Sequence, residues 1–171
     1  LKAEVYEKIG LKDIYWPEFA GYSLGCTGLR LSASDMARFG LLLLNEGLWD
    51  DKQIVSKSYI KQATSKQVDT ASEDNWYDCY GYGYQLWLNE FGDYRMAGLH
   101  NQLIIINKKY KLVFTITAYE DRSLLKLFKD YILPGFKKGW KPTNKSLRNY
   151  ISIFKENSVD LIMEEESKRN D

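Results

Sequence analysis

Three serine–lysine pairs have the spacing Ser-x-x-Lys, which brings a lysine one helical turn after a serine. The pairs are Ser58 with Lys61, Ser123 with Lys126, and Ser152 with Lys155. Such a pair can support nucleophilic catalysis, because a nearby base activates the serine hydroxyl for attack on an acyl carbon. Twelve serines and 18 lysines in 171 residues give about one match by chance, and neither Tyr-x-Asn nor Ser-x-Asn occurs. We therefore interpret all three pairs as helix-surface residues.

His100 is the only histidine in the chain. Imidazole can serve as a general acid, a general base or a metal ligand, but no second metal ligand lies at a suitable spacing. Cys26 and Cys79 could pair, yet two cysteines so far apart in sequence form neither a disulfide framework nor a metal motif. We predict no metal and no cofactor. His100 is either a cleft residue or an ordinary histidine on a sheet surface.

The composition is that of a globular domain, with 44% hydrophobic and 27% charged residues. A net charge of +1 gives no electrostatic reason to expect nucleic acid or a membrane as a partner. No apolar run has the length of a transmembrane helix, and no signal peptide is visible. The first residues look like the end of a helix that ends at Gly10, so we expect the chain to be a fragment of a longer protein.

Residues 80–118 read as an antiparallel meander of three strands. Tyr82 to Leu88 alternates between two faces, Tyr94 to Asn107 continues as one extended run, and Lys111 to Ala118 returns. The aliphatic residues before Asn107 predict a strand covered on both faces. Short connections between strands favour antiparallel pairing. The pattern predicts an α+β fold, with this sheet packed against helices.

Helices are predicted on both sides of this meander. Ser32 and Asp35 form a capping-box-like start for a deeply packed helix to about Leu44. Its main predicted stripe comprises Ala33, Met36, Ala37, Gly40, Leu41 and Leu44, and Phe39, Leu42 and Leu43 widen the apolar face until little polar face remains. Ser56 or Ser58 caps a second helix to about Ala63, whereas residues 21–28 and 65–78 are predicted loops. A helix from Asp121 or Ser123 ends at Pro134-Gly135.

The last part of the chain has a different character. Residues 136–171 combine a basic linker, an amphipathic segment with helical spacing and a charged tail. We predict one domain over residues 1–135 and treat residues 136–171 as an extension.

Two stretches resemble class C β-lactamase-like serine hydrolases, a superfamily that includes penicillin-binding proteins and esterases. The first comprises Lys8 to Trp16, Gly28 to Gly40 and Leu43 to Gly47, and the second comprises Tyr80 to Trp87, Ala97-Gly98, Gln102, Val113-Phe114 and Ile132 to Pro134. The resemblance covers residues 1–135 and implies the C-terminal part of a β-lactamase/transpeptidase-like fold. It leaves an extracytoplasmic or cell-envelope location open.

The resemblance implies three catalytic motifs, two of which precede this stretch in the family. Ser-x-x-Lys supplies the nucleophile and Tyr-x-Asn follows it, so both would lie upstream of this chain. The third, Lys-Thr-Gly or a His-x-Gly equivalent, falls on Leu99, His100 and Asn101. The family usually has small residues after the first position, often two glycines, so these side chains raise the question of activity. His100 is the candidate catalytic residue, and Leu99, Asn101 and Gln102 are candidate cleft or oxyanion residues.

The function implied is hydrolysis of an amide, ester or β-lactam through an acyl-serine intermediate in the intact protein. The chain by itself is expected to be inactive, since the nucleophile motif is absent. The alternative is a non-catalytic homologue used for sensing, binding or scaffolding. An independent small binding domain is the third interpretation, and the partial first helix and the ordered series of motifs count against it.

Two partners are expected besides a small-molecule acyl substrate. One is the N-terminal part of the same domain, which in the family supplies strands beside the final strand of the meander. Without it, residues 111–118 would be an edge strand with unpaired backbone groups. The second partner is another copy of this chain, because we expect self-association through residues 111–118 unless residues 144–163 cover that edge.

Overall fold

A computed structural model of the chain describes residues 2–12, 14–90, 93–120 and 123–137. The chain divides into two compact units, Leu1–Lys126 and Leu127–Asp171. Helices and an antiparallel sheet occur together, so the predicted α+β class is confirmed. No helix in the described part of the chain is long and apolar enough to cross a bilayer. The extension at 136–171 lies almost entirely outside the described residues, and its boundary stays a prediction.

The main sheet has four antiparallel strands that are neighbours in chain order. They are β5 (Trp87–Leu88), β6 (Tyr94–Gly98), β7 (Gln102–Asn107) and β8 (Leu112–Ile116). The meander is confirmed, but its count of three strands is wrong, because the extended run from Tyr94 is divided by a turn at Leu99–Asn101. The predicted strand from Tyr82 is shortened, since Gln85 has a positive φ and the ladder begins only at Trp87.

The two faces of this sheet have different environments. Tyr94 and Met96 on β6, Ile104 and Ile106 on β7, and Val113 on β8 belong to a core shared with Met36 and Leu43 of the long helix. Arg95 and Ala97 alternate with these residues and therefore lie on the opposite face. Leu103 to Asn107 are all buried, which confirms the prediction that β7 is covered on both sides.

The long helix, α1 (Ala33–Leu44), begins where its capping residues predict. Ser32 is the N-cap, and its side chain accepts a hydrogen bond from the backbone N–H of Asp35 at 3.1 Å. The predicted buried stripe is correct for Met36 and Gly40 and wrong for Ala33 and Leu41, which are exposed. Leu42 and Leu43, which the sequence predicts to widen the apolar face, are buried as well, because α1 packs on the sheet with one face and on a second core with another.

That second core surrounds the beginning of the chain. Lys2–Tyr6 forms a π-helical turn, and Val5, Ile9 and Leu11 pack around Leu42. Two short hairpins, β1–β2 (Glu18–Phe19 with Tyr22–Ser23) and β3–β4 (Leu48–Trp49 with Lys52–Gln53), lie in the connections. Helix α2 (Lys57–Ala63) starts after Ser56, as predicted, with Ser56 Oγ accepting from Tyr59 N–H at 3.3 Å.

The helical region at the end of the described chain differs from its prediction. It comprises α3 (Leu124–Leu127), a π-helical turn (Phe128–Ile132) and α4 (Leu133–Lys137). The predicted stop at Pro134-Gly135 is wrong, since both residues belong to α4. Pro134 lies in the first turn of α4, where its missing N–H is tolerated.

Strand β8 lies at one edge of the sheet, and self-association is predicted to occur through this strand. Among the described strands, β8 pairs only with β7. Self-association through residues 111–118 stays a prediction, and residues 144–163 lie outside the described part.

Gly40 allows α1 to approach the sheet closely, and this predicts an unusual effect of Gly40→Ala. A Cβ at this position would lie 2.5 Å from Val113 Cγ1 and 2.9 Å from Ile104 Cγ2. Alanine in a helix interior normally gains about 0.5–1 kcal/mol over glycine, but overpacking a core costs about 1–3 kcal/mol. We expect Gly40→Ala to lower the free energy of unfolding by about 1–2 kcal/mol in urea denaturation.

Gly25→Ala is the matched control, because its Cβ would meet nothing within 4 Å. It should leave the unfolding free energy nearly unchanged. A Gly40→Ala variant as stable as the wild type would show that α1 does not contact the sheet this closely.

Asp93, at the start of β6, is the centre of a buried polar cluster. Its carboxylate accepts hydrogen bonds from Asn107 Nδ2 and from the backbone N–H of Lys108. Tyr110 N–H donates to Asn107 Oδ1 at 2.9 Å, which ties the β7–β8 turn to the same cluster. Burial raises the pKa of Asp93 from 3.8 to about 6, and the hydrogen bonds oppose that rise.

The raised pKa predicts how Asp93 contributes to stability as pH changes. Because the folded protein keeps this proton to about pH 6 and the unfolded chain loses it near pH 4, the contribution is fully present below about pH 4. It is lost as pH rises to about 6, by up to about 3 kcal/mol. We expect the difference in unfolding free energy between wild type and Asp93→Asn to fall over this interval.

Urea denaturation at several pH values between 4 and 7 measures that difference. Asp74→Asn, which alters an exposed aspartate, serves as the control and should give a flat difference. A flat difference for Asp93→Asn as well would contradict the assignment.

Candidate functional site

The turn between β6 and β7 consists of Leu99, His100 and Asn101, on which the resemblance places the third catalytic motif. His100 and Asn101 have φ values of +55° and +65°. The ladder ends at the pair Gly98 and Gln102, so three residues form the connection, and the last two have φ in the left-handed region. Glycine adopts this conformation without steric cost, which gives a conformational reason for the small residues expected here. Asparagine tolerates it, whereas histidine adopts it at a cost.

A pocket of about 310 Å³ opens beside this turn. Leu99, His100 and Asn101 line one part of it, and the sheet face opposite α1 forms its floor. The further lining residues are Tyr77, Asp78, Trp87, Arg95, Ala97, Gly98, Leu103, Glu120, Ser123 and Leu125. The three predicted motif positions are therefore together at one concave surface, and Gln102 follows directly in the chain. Their predicted roles in catalysis stay predictions.

His100 lies partly within the pocket and partly against an aromatic ring. Its imidazole is half-buried, and its ring centre lies 4.3 Å from that of Tyr119, with the planes tilted by 38°. Leu99 behaves differently, since 79% of its surface is exposed. His100 thus has an aromatic neighbour in the exposed Tyr119, while Leu99 presents an apolar surface at the pocket rim.

Asn101 and Gln102 use their side-chain amides to bind the chain that follows β8. Asn101 Nδ2 donates to the backbone oxygen of Glu120 at 2.5 Å, and Asn101 Oδ1 accepts from the backbone N–H of Leu124 at 2.9 Å. Gln102 Nε2 donates to the backbone oxygen of Ala118. Both amides therefore connect the turn to the segment that carries Glu120 and Ser123.

A buried ion pair lies at the floor of the pocket. Arg95 is 2% exposed and pairs with the carboxylate of Asp78. It also donates to the backbone oxygen of Tyr77 at 2.9 Å and to Asn89 Oδ1 at 2.5 Å. Its guanidinium lies 5.6 Å from the ring centre of Trp87. Burial lowers the pKa of Arg95, and the charge of Asp78 opposes that change.

Sequence reasoning missed Arg95, Asp78 and Trp87. Tyr77 and Asp78 were assigned to a polar surface loop, but both are half-buried because Arg95 holds them against the sheet. A charged residue inside an apolar strand run was the available signal, since a buried arginine requires a partner.

The three Ser-x-x-Lys pairs have different locations. Ser58 and Lys61 are exposed on α2, as predicted. Ser123 is half-buried and lines the pocket, so the prediction of a helix-surface serine is wrong for it, while Lys126 is exposed. The pair at 152–155 lies outside the described residues. Across the part of the chain that is described, no three His, Cys, Asp or Glu side chains group as a metal site would require.

The chain matches no protein-family model and no curated protein. It is similar to a solved structure provisionally named 6-aminohexanoate-dimer hydrolase, from Bacillus anthracis, with a TM-score of 0.56 and 22% sequence identity. The similarity covers 94% of this chain and 37% of that structure's chain. At this identity the likeness concerns the fold alone. The chain thus spans little more than a third of the structure that it resembles.

The positive φ of His100 predicts that glycine is better than alanine at this position. Both substitutions remove the stacked imidazole, but alanine keeps the steric cost of the left-handed conformation, which is about 1–2 kcal/mol. We expect His100→Gly to have a free energy of unfolding about 1 kcal/mol higher than that of His100→Ala. Urea denaturation of the two variants measures this difference. Equal stabilities, or a more stable alanine variant, would contradict the turn conformation.

Proposed function

We propose that this chain is the C-terminal part of a class C β-lactamase-like serine hydrolase. The intact protein would hydrolyse an amide, an ester or a β-lactam through an acyl-serine intermediate. In that reaction the serine oxygen attacks the acyl carbon, a base takes the hydroxyl proton, the leaving group departs, and water then releases the acyl group. The serine and its lysine belong to a part of the protein outside this chain.

The observation that carries the proposal is the pocket beside the Leu99–Asn101 turn. The residues at the positions of the third motif line a concave surface of about 310 Å³, within a fold similar to that of a protein provisionally named as a hydrolase. Ligand sites are typically concave surfaces with a few convergent polar groups. His100, Glu120 and Ser123 supply such groups here.

This part of the protein would contribute one wall of the cleft. His100 would border the acyl group, and a backbone donor near Gln102 would help to hold the oxyanion, as such donors do in acyl transfer. Leu99 is exposed at the rim and would contact an apolar part of the substrate. No cofactor takes part in this scheme.

A non-catalytic homologue is the second candidate, and the side chains of the turn favour it. His100 and Asn101 stand where the family usually has small residues, so they reduce the space that a substrate backbone needs for close approach. The amides of Asn101 and Gln102 are engaged with the backbone of Ala118, Glu120 and Leu124. A pocket of this kind could bind a ligand without catalysing its conversion to a product.

Replacing His100 in the longer protein tests whether the turn borders the catalytic cleft. We expect His100→Ala to lower kcat/KM at least about tenfold, which corresponds to about 1.4 kcal/mol of transition-state stabilisation. Gln62→Ala, at an exposed position of α2, is the control and should keep full activity. An unchanged kcat/KM for His100→Ala would indicate that His100 is an ordinary surface histidine and does not border the catalytic cleft.

The isolated 171-residue chain provides the complementary test. It should hydrolyse neither a chromogenic β-lactam nor a nitrophenyl ester, because we place the family's nucleophile motif outside this chain and its own three Ser-x-x-Lys pairs are chance matches. Treatment with a fluorophosphonate followed by mass spectrometry should find no label on Ser58, Ser123 or Ser152. Stoichiometric label on Ser123, the serine at the pocket, would show that the nucleophile lies within this chain.

A further inference from the structure

The segment after β8 is attached to the β6–β7 turn by side chains rather than by strand pairing. The β7–β8 ladder ends at the pair Leu103 and Ile116. Beyond it, Gln102 binds the backbone of Ala118, and Asn101 binds the backbone of Glu120 and of Leu124. We call these three hydrogen bonds the amide clamp. The clamp extends the attachment of the two chain segments past the point where the sheet stops.

One of these bonds satisfies a helix terminus. Leu124 is the first residue of α3, and the first N–H groups of a helix have no partner within the helix. Asn101 Oδ1 accepts from the Leu124 N–H at 2.9 Å, across 23 positions in sequence. Asn101 therefore caps α3 from another element, and the start of α3 depends on the position of the turn.

The clamp connects two groups of residues that line the pocket. Leu99, His100 and Asn101 form the wall at the turn, while Glu120, Ser123 and Leu125 belong to the segment after β8. Tyr119 comes from that same segment, and its ring stacks on His100. The position of the imidazole relative to the segment after β8 thus depends on Asn101 and Gln102.

We propose that Asn101 and Gln102 are positioning residues, whose side-chain amides hold the segment after β8 against the turn and thereby fix His100 relative to the pocket wall that carries Glu120 and Ser123. In the proposed function, on which this step rests, the pocket is a substrate cleft and the clamp sets its width. The clamp itself is a property of this chain and can be tested without a substrate.

Two variants of Asn101 separate the two bonds of its amide. Asn101→Asp keeps an oxygen that accepts from the Leu124 N–H, but it has no N–H to donate to the Glu120 oxygen. Asn101→Gly removes both bonds, and glycine adopts the positive φ of this position freely. Both variants can therefore lose their hydrogen bonds while the backbone of the turn keeps its conformation. Gln62→Glu, an amide-to-acid change at an exposed position of α2, controls for the added charge.

His100 provides the readout, because it is the only histidine in the chain and its ring protons give a single set of NMR signals. The stacked Tyr119 ring should displace these signals upfield, and Tyr119→Leu gives the reference without the ring. Hydrogen exchange of the Leu124 amide reports the capping bond separately.

In Asn101→Asp we expect the Leu124 amide to stay protected, while most of the His100 displacement is lost. In Asn101→Gly both the protection and the displacement should be lost. Gln102→Leu, which removes the bond to Ala118 at similar side-chain size, should also reduce the displacement. Gln62→Glu should match the wild type.

The proposal is overturned if His100 keeps its displacement in Asn101→Gly and in Gln102→Leu, even when both variants lower the unfolding temperature. That outcome would make the amides merely stabilising. It is equally overturned if wild-type His100 shows no displacement relative to Tyr119→Leu. Neither outcome depends on catalysis, so a longer protein without hydrolase activity would contradict the proposed function and leave the clamp intact.

Discussion

The close approach of α1 to the sheet at Gly40 is the contact on which the arrangement depends. With no side chain there, α1 packs directly on Val113 of β8 and Ile104 of β7, so one face of the sheet is covered by apolar residues at high density. The alternation of side chains along a strand then commits Arg95, Ala97 and Leu103 to the other face. The pocket forms on that second face because the first is filled.

Arg95 shows how the second face supports a polar site. A guanidinium that is 2% exposed requires charge and hydrogen-bond partners. Asp78 and the Tyr77 carbonyl supply them and draw the loop before β5 against the sheet. The turn at Leu99–Asn101 and the segment after β8 complete the pocket, and their attachment depends on two side-chain amides. The pocket is therefore formed by a loop, a turn and a segment after a strand, and the sheet determines where each of them lies.

The helices and the central strand could be predicted because their signals are local. Ser32 and Ser56 cap their helices through bonds within a few residues, and the aliphatic run of β7 predicts burial directly. The turn at His100 and Asn101 could not be predicted from the same rules, since it lacks the glycine or Asn-Gly that marks a tight hairpin. The role of Asp78 could not be predicted for another reason. Its partner Arg95 is 17 positions away in sequence, and only the fold brings the two side chains together.

The resemblance supplied what local patterns could not, namely that residues 99–102 belong together at a functional surface. The structure places Leu99, His100 and Asn101 at one concave surface, and their roles in catalysis stay predictions. In the proposed function the nucleophile belongs to a part of the protein outside this chain. A crystal structure of the proposed longer protein, after its serine has reacted with a fluorophosphonate, tests the proposed function most directly. We predict that the phosphonyl group lies in the pocket bordered by Leu99, His100 and Asn101. A phosphonyl group on the α1 side of the sheet, with this pocket filled by another segment of the protein, would contradict it.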